Sequence, residues 1–168
     1  MLRKILSFRW LKRPASPERR SPSLDLGRRG ERLAAEYLER AGYSIVATNF
    51  HISVGRNLRG AVVRAEIDVI AYEGATLCFI EVKTRASVNF AAPERNVDLR
   101  KRRQISRAAR AYRRLLGQEG APHRFDVVSI VLPAPAHASD VPSLQLFRGF
   151  WVDHKPRPRE SGGNFYVE

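Results

Sequence analysis

Three charged residues interrupt an otherwise apolar stretch, "AEIDVIAYEGATLCFIEVKTR" (65–85): Asp68, then Glu81 and Lys83. Charges are costly inside a sheet unless something compensates them. The stretch reads as two strands, about 65–72 and 77–85, joined by the turn Glu73-Gly74-Ala75-Thr76. Strand side chains alternate faces. Glu66, Asp68, Ile70 and Tyr72 then share one face of the first strand, and Leu77, Phe79, Glu81 and Lys83 share one face of the second. Pairing Tyr72 with Leu77 sets Asp68 opposite Glu81 and Glu66 opposite Lys83. Facing acids have Cβ atoms about 4.5–5.5 Å apart. Like charges at that distance raise one carboxyl's pKa or gather a cation. A hard divalent ion, Mg²⁺ or Mn²⁺, suits such a pair, because Mg²⁺ takes oxygen ligands and often only one or two carboxylates. The Val82 carbonyl would add a further oxygen. Lys83 on the same face could stabilise a developing anion or help position a water. The alternative is a solvated pair of strand-end acids and a surface Glu81–Lys83 ion pair of little worth.

The surrounding elements must place these groups. Leu26, Gly30, Leu33, Ala34, Tyr37, Leu38 and Ala41 recur at helical spacing. They predict a helix over about 23–41, stopped by Gly42, with Glu31 at the edge of its apolar stripe. "YSIVATNF" (43–50) predicts a strand. Residues 51–64 fit a hairpin turning at 57–60 or a disordered insertion. A second helix is expected from about Asp98, an N-cap residue, to Leu116, with Leu99, Ile105, Ala108, Ala109, Tyr112 and Leu116 as its apolar face. Arg103, Arg107, Arg110 and Arg114 form a cationic stripe opposite that face, with no acid between Asp98 and Glu119 to pair with it. "RFDVVSIVL" (124–132) predicts a buried strand and "LQLFRGFWV" (144–152) an edge strand. This order implies an α/β sandwich on a mixed sheet, with parallel pairing at the strand that follows the second helix.

Composition bounds the partner. In 168 residues, 30 Lys and Arg face 17 Asp and Glu, a formal charge of +13. Such a surplus points to a polyanion, nucleic acid before an anionic membrane, or simply to a solubilising surface. Cys78 is the only cysteine. It excludes an internal disulfide and a cysteine metal cluster, and agrees with a reducing, cytoplasmic compartment. No apolar run reaches membrane-spanning length, so no stable insertion is expected. Residues 1–22 read as a disordered basic arm broken by Pro14, Pro17 and Pro22. Residues 23–152 read as the domain and 153–168 as a loose tail.

Asp68, twelve residues, then Glu81-Val82-Lys83 resembles the PD-(D/E)xK nuclease motif. "GRRGERLAAEYLERAGYSIVATNF", "EIDVIA", "FIEVKTR" and "RFDVV", in that order, resemble the YraN-type family of bacterial endonuclease-like proteins, related in fold to Holliday-junction resolvases. The resemblance spans roughly residues 25–132. It implies a restriction-endonuclease-like αβββαβ core with helices flanking a mixed central sheet. Asp68 and Glu81 become metal ligands, Lys83 the catalytic lysine and Glu31 an accessory acid. The family usually has Gly where this chain has Ala65, and a shorter connection than residues 51–64. The implied activity is metal-dependent hydrolysis of structured or branched DNA, with Arg56, Arg59, Arg85, Arg103, Arg107, Arg110 and Arg114 on phosphates and a homodimer suited to a symmetric junction. A non-catalytic nucleic-acid-binding scaffold and a membrane-surface protein anchored by residues 1–22 are the rival readings.

Overall fold

The computed structural model describes residues 22–86, 97–132 and 141–153. The basic arm, the loop around Pro93, most of the loop 133–143 and the tail beyond Asp153 lie outside the described residues. The chain runs α1 (Pro22–Arg40), β1 (Ser44–Arg56), β2 (Val62–Glu73), β3 (Thr76–Arg85), α2 (Leu99–Leu115), β4 (His123–Val131) and β5 (Ser143–Trp151). The five strands form one sheet in the order β1-β2-β3-β4-β5. Only β3 and β4 pair in parallel, and α2 makes the crossover between them. This is the α/β, mixed-sheet, restriction-endonuclease-like order expected from the sequence.

The segment 51–64 extends β1 and β2 into one long hairpin. Asn57 closes its turn by accepting from the backbone N–H groups of Arg59 and Ala61, both at 2.9 Å. The turn before β3 pairs Tyr72 with Leu77, as the residue count required.

Alternation along the strands supplies two cores. On one face, Val69, Ala71, Cys78, Ile80, Val82, Val128 and Ile130 pack against Ala34 and Leu38 of α1. On the other, Ile67, Ile70, Leu77, Phe79 and Phe125 pack against Ile105, Ala108, Ala109 and Tyr112 of α2. Ala65 is buried in this second core, so its methyl group fits where the family's usual residue has none. Asp98 caps α2, its Oδ1 accepting from Lys101 N at 2.7 Å. Two residues expected on the buried stripe of α2 are outside it. Leu99 and Leu116, at the two ends of the helix, are exposed. Asp153 is not loose: it holds Arg110.

Gly30 fixes the approach of α1 to the sheet. A Cβ there would overlap the side chain of Thr84 on β3. Gly30→Ala improves helix propensity by about 1 kcal/mol, yet overpacking of this kind costs about 1–3 kcal/mol. Calorimetry should therefore show a lower Tm for the alanine variant. A raised Tm would mean that α1 can lift without penalty.

Candidate functional site

The site lies where β2 and β3 part. Their ladder runs from Glu73↔Thr76 to Val69↔Ile80 and ends there. One step further, Asp68 and Glu81 face each other across the fork. The cause is local. Ile67 and Ile70 both enter the α2-side core while Val69 enters the α1-side core, so strict alternation breaks at Asp68. On the neighbouring strand Asn49 has a left-handed backbone (φ 52), and the ladder skips from Thr48↔Val69 to Phe50↔Ile67. This break turns Asp68 toward β3. Its Oδ2 accepts the Val82 N–H at 2.8 Å, a donor that an unbroken ladder would have given to β2 backbone. In an extended strand the N–H and C=O of one residue point to the same side, so the Val82 carbonyl also borders the fork.

Both acids are buried: Asp68 is 9% exposed and Glu81 1%. Lys83 Nζ lies 2.8 Å from Glu81 Oε1. Glu66 does not join Lys83 as the register count suggested. The ladder has ended, and Glu66 lies 3.6 Å from His51 of β1 instead. A further cation comes from α2. Lys101 Nζ is 3.1 Å from Glu81 Oε2 and 3.9 Å from Asp68 Oδ1. Sequence reading missed Lys101 because it sits in the basic run "LRKRR". A signal was present: Lys101 occupies the column of Ile105, Ala108 and Tyr112, the buried face of α2.

Burial, followed by the charge of Glu81, pushes the Asp68 carboxyl up to about 7, against the pull of Lys101 and the Val82 N–H. Burial depresses the Lys101 ammonium, but the charges of Asp68 and Glu81 outweigh it and hold its pKa above the ordinary lysine value. The sign for Asp68 follows by linkage. Between the ordinary value of 3.8 and about 7, the folded state keeps a proton that the unfolded chain has released. Stability therefore falls as pH rises through that window. In EDTA, Asp68→Asn should gain stability relative to wild type between pH 5 and 8, on the order of a few kcal/mol. Denaturant titrations at both pH values measure it, and parallel pH profiles would reject it.

The donors fit a hard cation. Two buried carboxylates converge, and Glu81 Oε2 accepts no hydrogen bond. Among the described residues no third acid, histidine or cysteine joins them in a metal-holding cluster. Glu31 lies half-buried on α1, across the sheet from α2 and beside the Gly30–Thr84 contact. A two-carboxylate site with substrate oxygens is the pattern suited to Mg²⁺.

The expected phosphate contacts divide. Arg56 and Arg59 are exposed at the β1–β2 turn, where Arg56 donates to Gly60 O at 2.7 Å. Arg85 ends β3, half-buried. Arg103, Arg107 and Arg110 line a groove of about 910 Å³ between α2 and β5, with Phe150 and Trp151 on its other wall. Arg114 is exposed on α2 but does not line the groove. Arg110 is paired with Asp153 at 2.6 and 2.7 Å, a partner that lies outside the helix and so was not counted. Arg102, not singled out from the sequence, stands 5.1 Å over the Phe150 ring in the same groove. Among the described residues no helix is long and apolar enough to cross a membrane.

Fold and site together define an α/β protein with a restriction-endonuclease-like core and an Asp/Glu/Lys constellation at a strand fork. Residues 30–130 match the model of the uncharacterised protein family UPF0102, and the chain belongs to that family, the YraN-type family of the sequence resemblance. It is 40% identical to a UPF0102 protein of Chlorobium limicola over 77% of this chain and 87% of that protein. It is 42% identical to one of Koribacter versatilis over 74% and 78%. A relative in Geobacter sulfurreducens is 40% identical over 71% and 83%. The matched region carries Asp68, Glu81, Lys83 and Lys101; β5 and its wall of the groove lie beyond it.

Proposed function

We propose that this chain is a metal-dependent endonuclease that hydrolyses phosphodiester bonds in structured or branched DNA. One observation carries the reading: the buried Asp68/Glu81 pair at the β2–β3 fork, with Lys83 on the same face. Asp68, Glu81 and the Val82 carbonyl would hold Mg²⁺ or Mn²⁺. Such an ion, when bound, lowers the pKa of a water and offsets charge on the phosphate. The chain's own residues supply the rest. Lys83, half-buried and adjacent to Glu81, offers a fixed positive charge to the anionic phosphate. The groove beside α2 carries Arg102, Arg103 and Arg107 to grip the backbone without reading sequence. Its aromatic wall suits unstacked bases at a branch point. A symmetric junction would be met by a homodimer.

The test is a panel of labelled four-way junction, flap, duplex and single-stranded DNA, each with Mn²⁺, Mg²⁺ or EDTA. Metal-dependent cutting confined to branched substrates is the expected result. Binding to these DNAs with no cutting of any of them would overturn the enzyme reading and leave a nucleic-acid-binding scaffold.

A further inference from the structure

We propose that Lys101 competes with the metal ion for the carboxylate pair, so that a divalent ion must displace its ammonium to bind. The inference rests on the metal-binding part of the reading above, and it concerns a residue outside the D…ExK pattern.

The four carboxylate oxygens are divided in a way that favours this. Glu81 Oε1 is held by Lys83 and Asp68 Oδ2 by the Val82 N–H. The two remaining oxygens, Glu81 Oε2 and Asp68 Oδ1, are the ones turned toward Lys101. A metal ion shared by both acids would need the same two oxygens.

Charge counting excludes comfortable coexistence. Two carboxylates already face two ammonium groups. A divalent ion added to them would double the positive charge beside the pair in a site largely shielded from water, where repulsion is weakly screened. One ammonium has to leave. Lys83 holds Glu81 at 2.8 Å, while Lys101 Nζ stands at 3.1 Å from an oxygen that accepts no hydrogen bond. The Lys101 contact is therefore the longer of the two, and the easier to give up.

Lys101 is also built to move. Its backbone is fixed in the first turn of α2, where its N–H binds Asp98 Oδ1. Its head rides on a flexible four-carbon stem. The side chain is 29% exposed, so it has a route to water. Displacement changes rotamers and leaves α2 in place.

If Lys101 occupies the pair nine-tenths of the time or more, the apparent metal affinity is weakened about tenfold or more. Titration calorimetry of the full chain with Mn²⁺ alone reads this without any cleavage assay. Lys101→Met should bind Mn²⁺ about tenfold or more tighter than wild type, and Lys101→Arg no tighter than wild type. Lys101→Gln serves if the methionine variant does not fold. A residue that merely supports the fold would lower the Tm in EDTA and leave the Mn²⁺ affinity unchanged. Unchanged or weaker binding in Lys101→Met, with binding still abolished by Asp68→Asn, overturns the competition and leaves the metal site standing. Absence of Mn²⁺ binding in wild type and in every Lys101 variant overturns the metal reading and the competition together.

Discussion

Glu81→Gln should slow Mn²⁺-dependent cleavage of a branched DNA by about a thousandfold, or about 4 kcal/mol of transition-state stabilisation. Among the described residues the proposed metal site has two carboxylates, so removing one halves its anionic charge. Glutamine preserves the volume and leaves an oxygen for Lys83 at the position of Oε1. It also removes the negative charge that helps raise the Asp68 pKa. The fold should therefore survive, and circular dichroism with thermal melting in EDTA will separate lost chemistry from lost structure. Single-turnover rates at saturating Mn²⁺ are the right measure, because they isolate chemistry from binding. A rate within tenfold of wild type would remove Glu81 from the reaction. Lys83→Met is the companion variant. It should lower the rate without lowering Mn²⁺ affinity, since Lys83 holds Glu81 Oε1 and not the two oxygens a shared metal ion would take.

How legible this site is in the sequence depends on how local its determinants are. The β2–β3 register follows from a short turn with Gly74 at φ 57, and that register sets Asp68 opposite Glu81, one step beyond the Val69–Ile80 pair. The helices follow from apolar periodicity and the Asp98 cap. What escapes is set by tertiary context. Lys101 looks like one more charge in a basic run, although its spacing from Ile105, Ala108 and Tyr112 points it inward. Alternation assigns Glu66 to the Asp68 face, but the irregularity at Asn49 and Asp68 breaks the count. The Arg110–Asp153 pair joins residues 43 apart and exists only because β5 returns the chain to α2. Phosphate contacts inferred from a stripe of arginines therefore overcount the free cations.

Asp126→Ala, on the neighbouring strand β4, should be among the most destabilising single substitutions, by about 3–5 kcal/mol. Asp126 is fully buried, and both its oxygens are engaged by Arg124, at 2.7 and 2.9 Å. Its Oδ1 also accepts the Gly149 N–H at 2.8 Å. That second contact explains the geometry of β5. The β4–β5 register shifts between Phe125 and Val127, and Gly149 adopts φ 62 in the bulge. A side-chain carboxylate supplies the acceptor that the interrupted ladder cannot. Arg124 in turn reaches the Tyr43 hydroxyl at 2.9 Å and Glu73 at 2.7 Å, tying the end of α1 and the β2–β3 turn to β4. Alanine would strand the Gly149 donor and remove the main partner of Arg124, while Glu73 would still hold part of its charge. That remaining partner places the loss near 3 kcal/mol, a Tm drop of about 6–12 °C for a domain of this size. Asp126→Asn keeps an acceptor for Gly149 and should lose about half as much, so the difference between the two variants isolates the bulge contact. Equal melting temperatures for alanine and asparagine would assign the whole effect to Arg124. A loss below 1 kcal/mol for alanine would show that the network is not what holds β5 to the sheet.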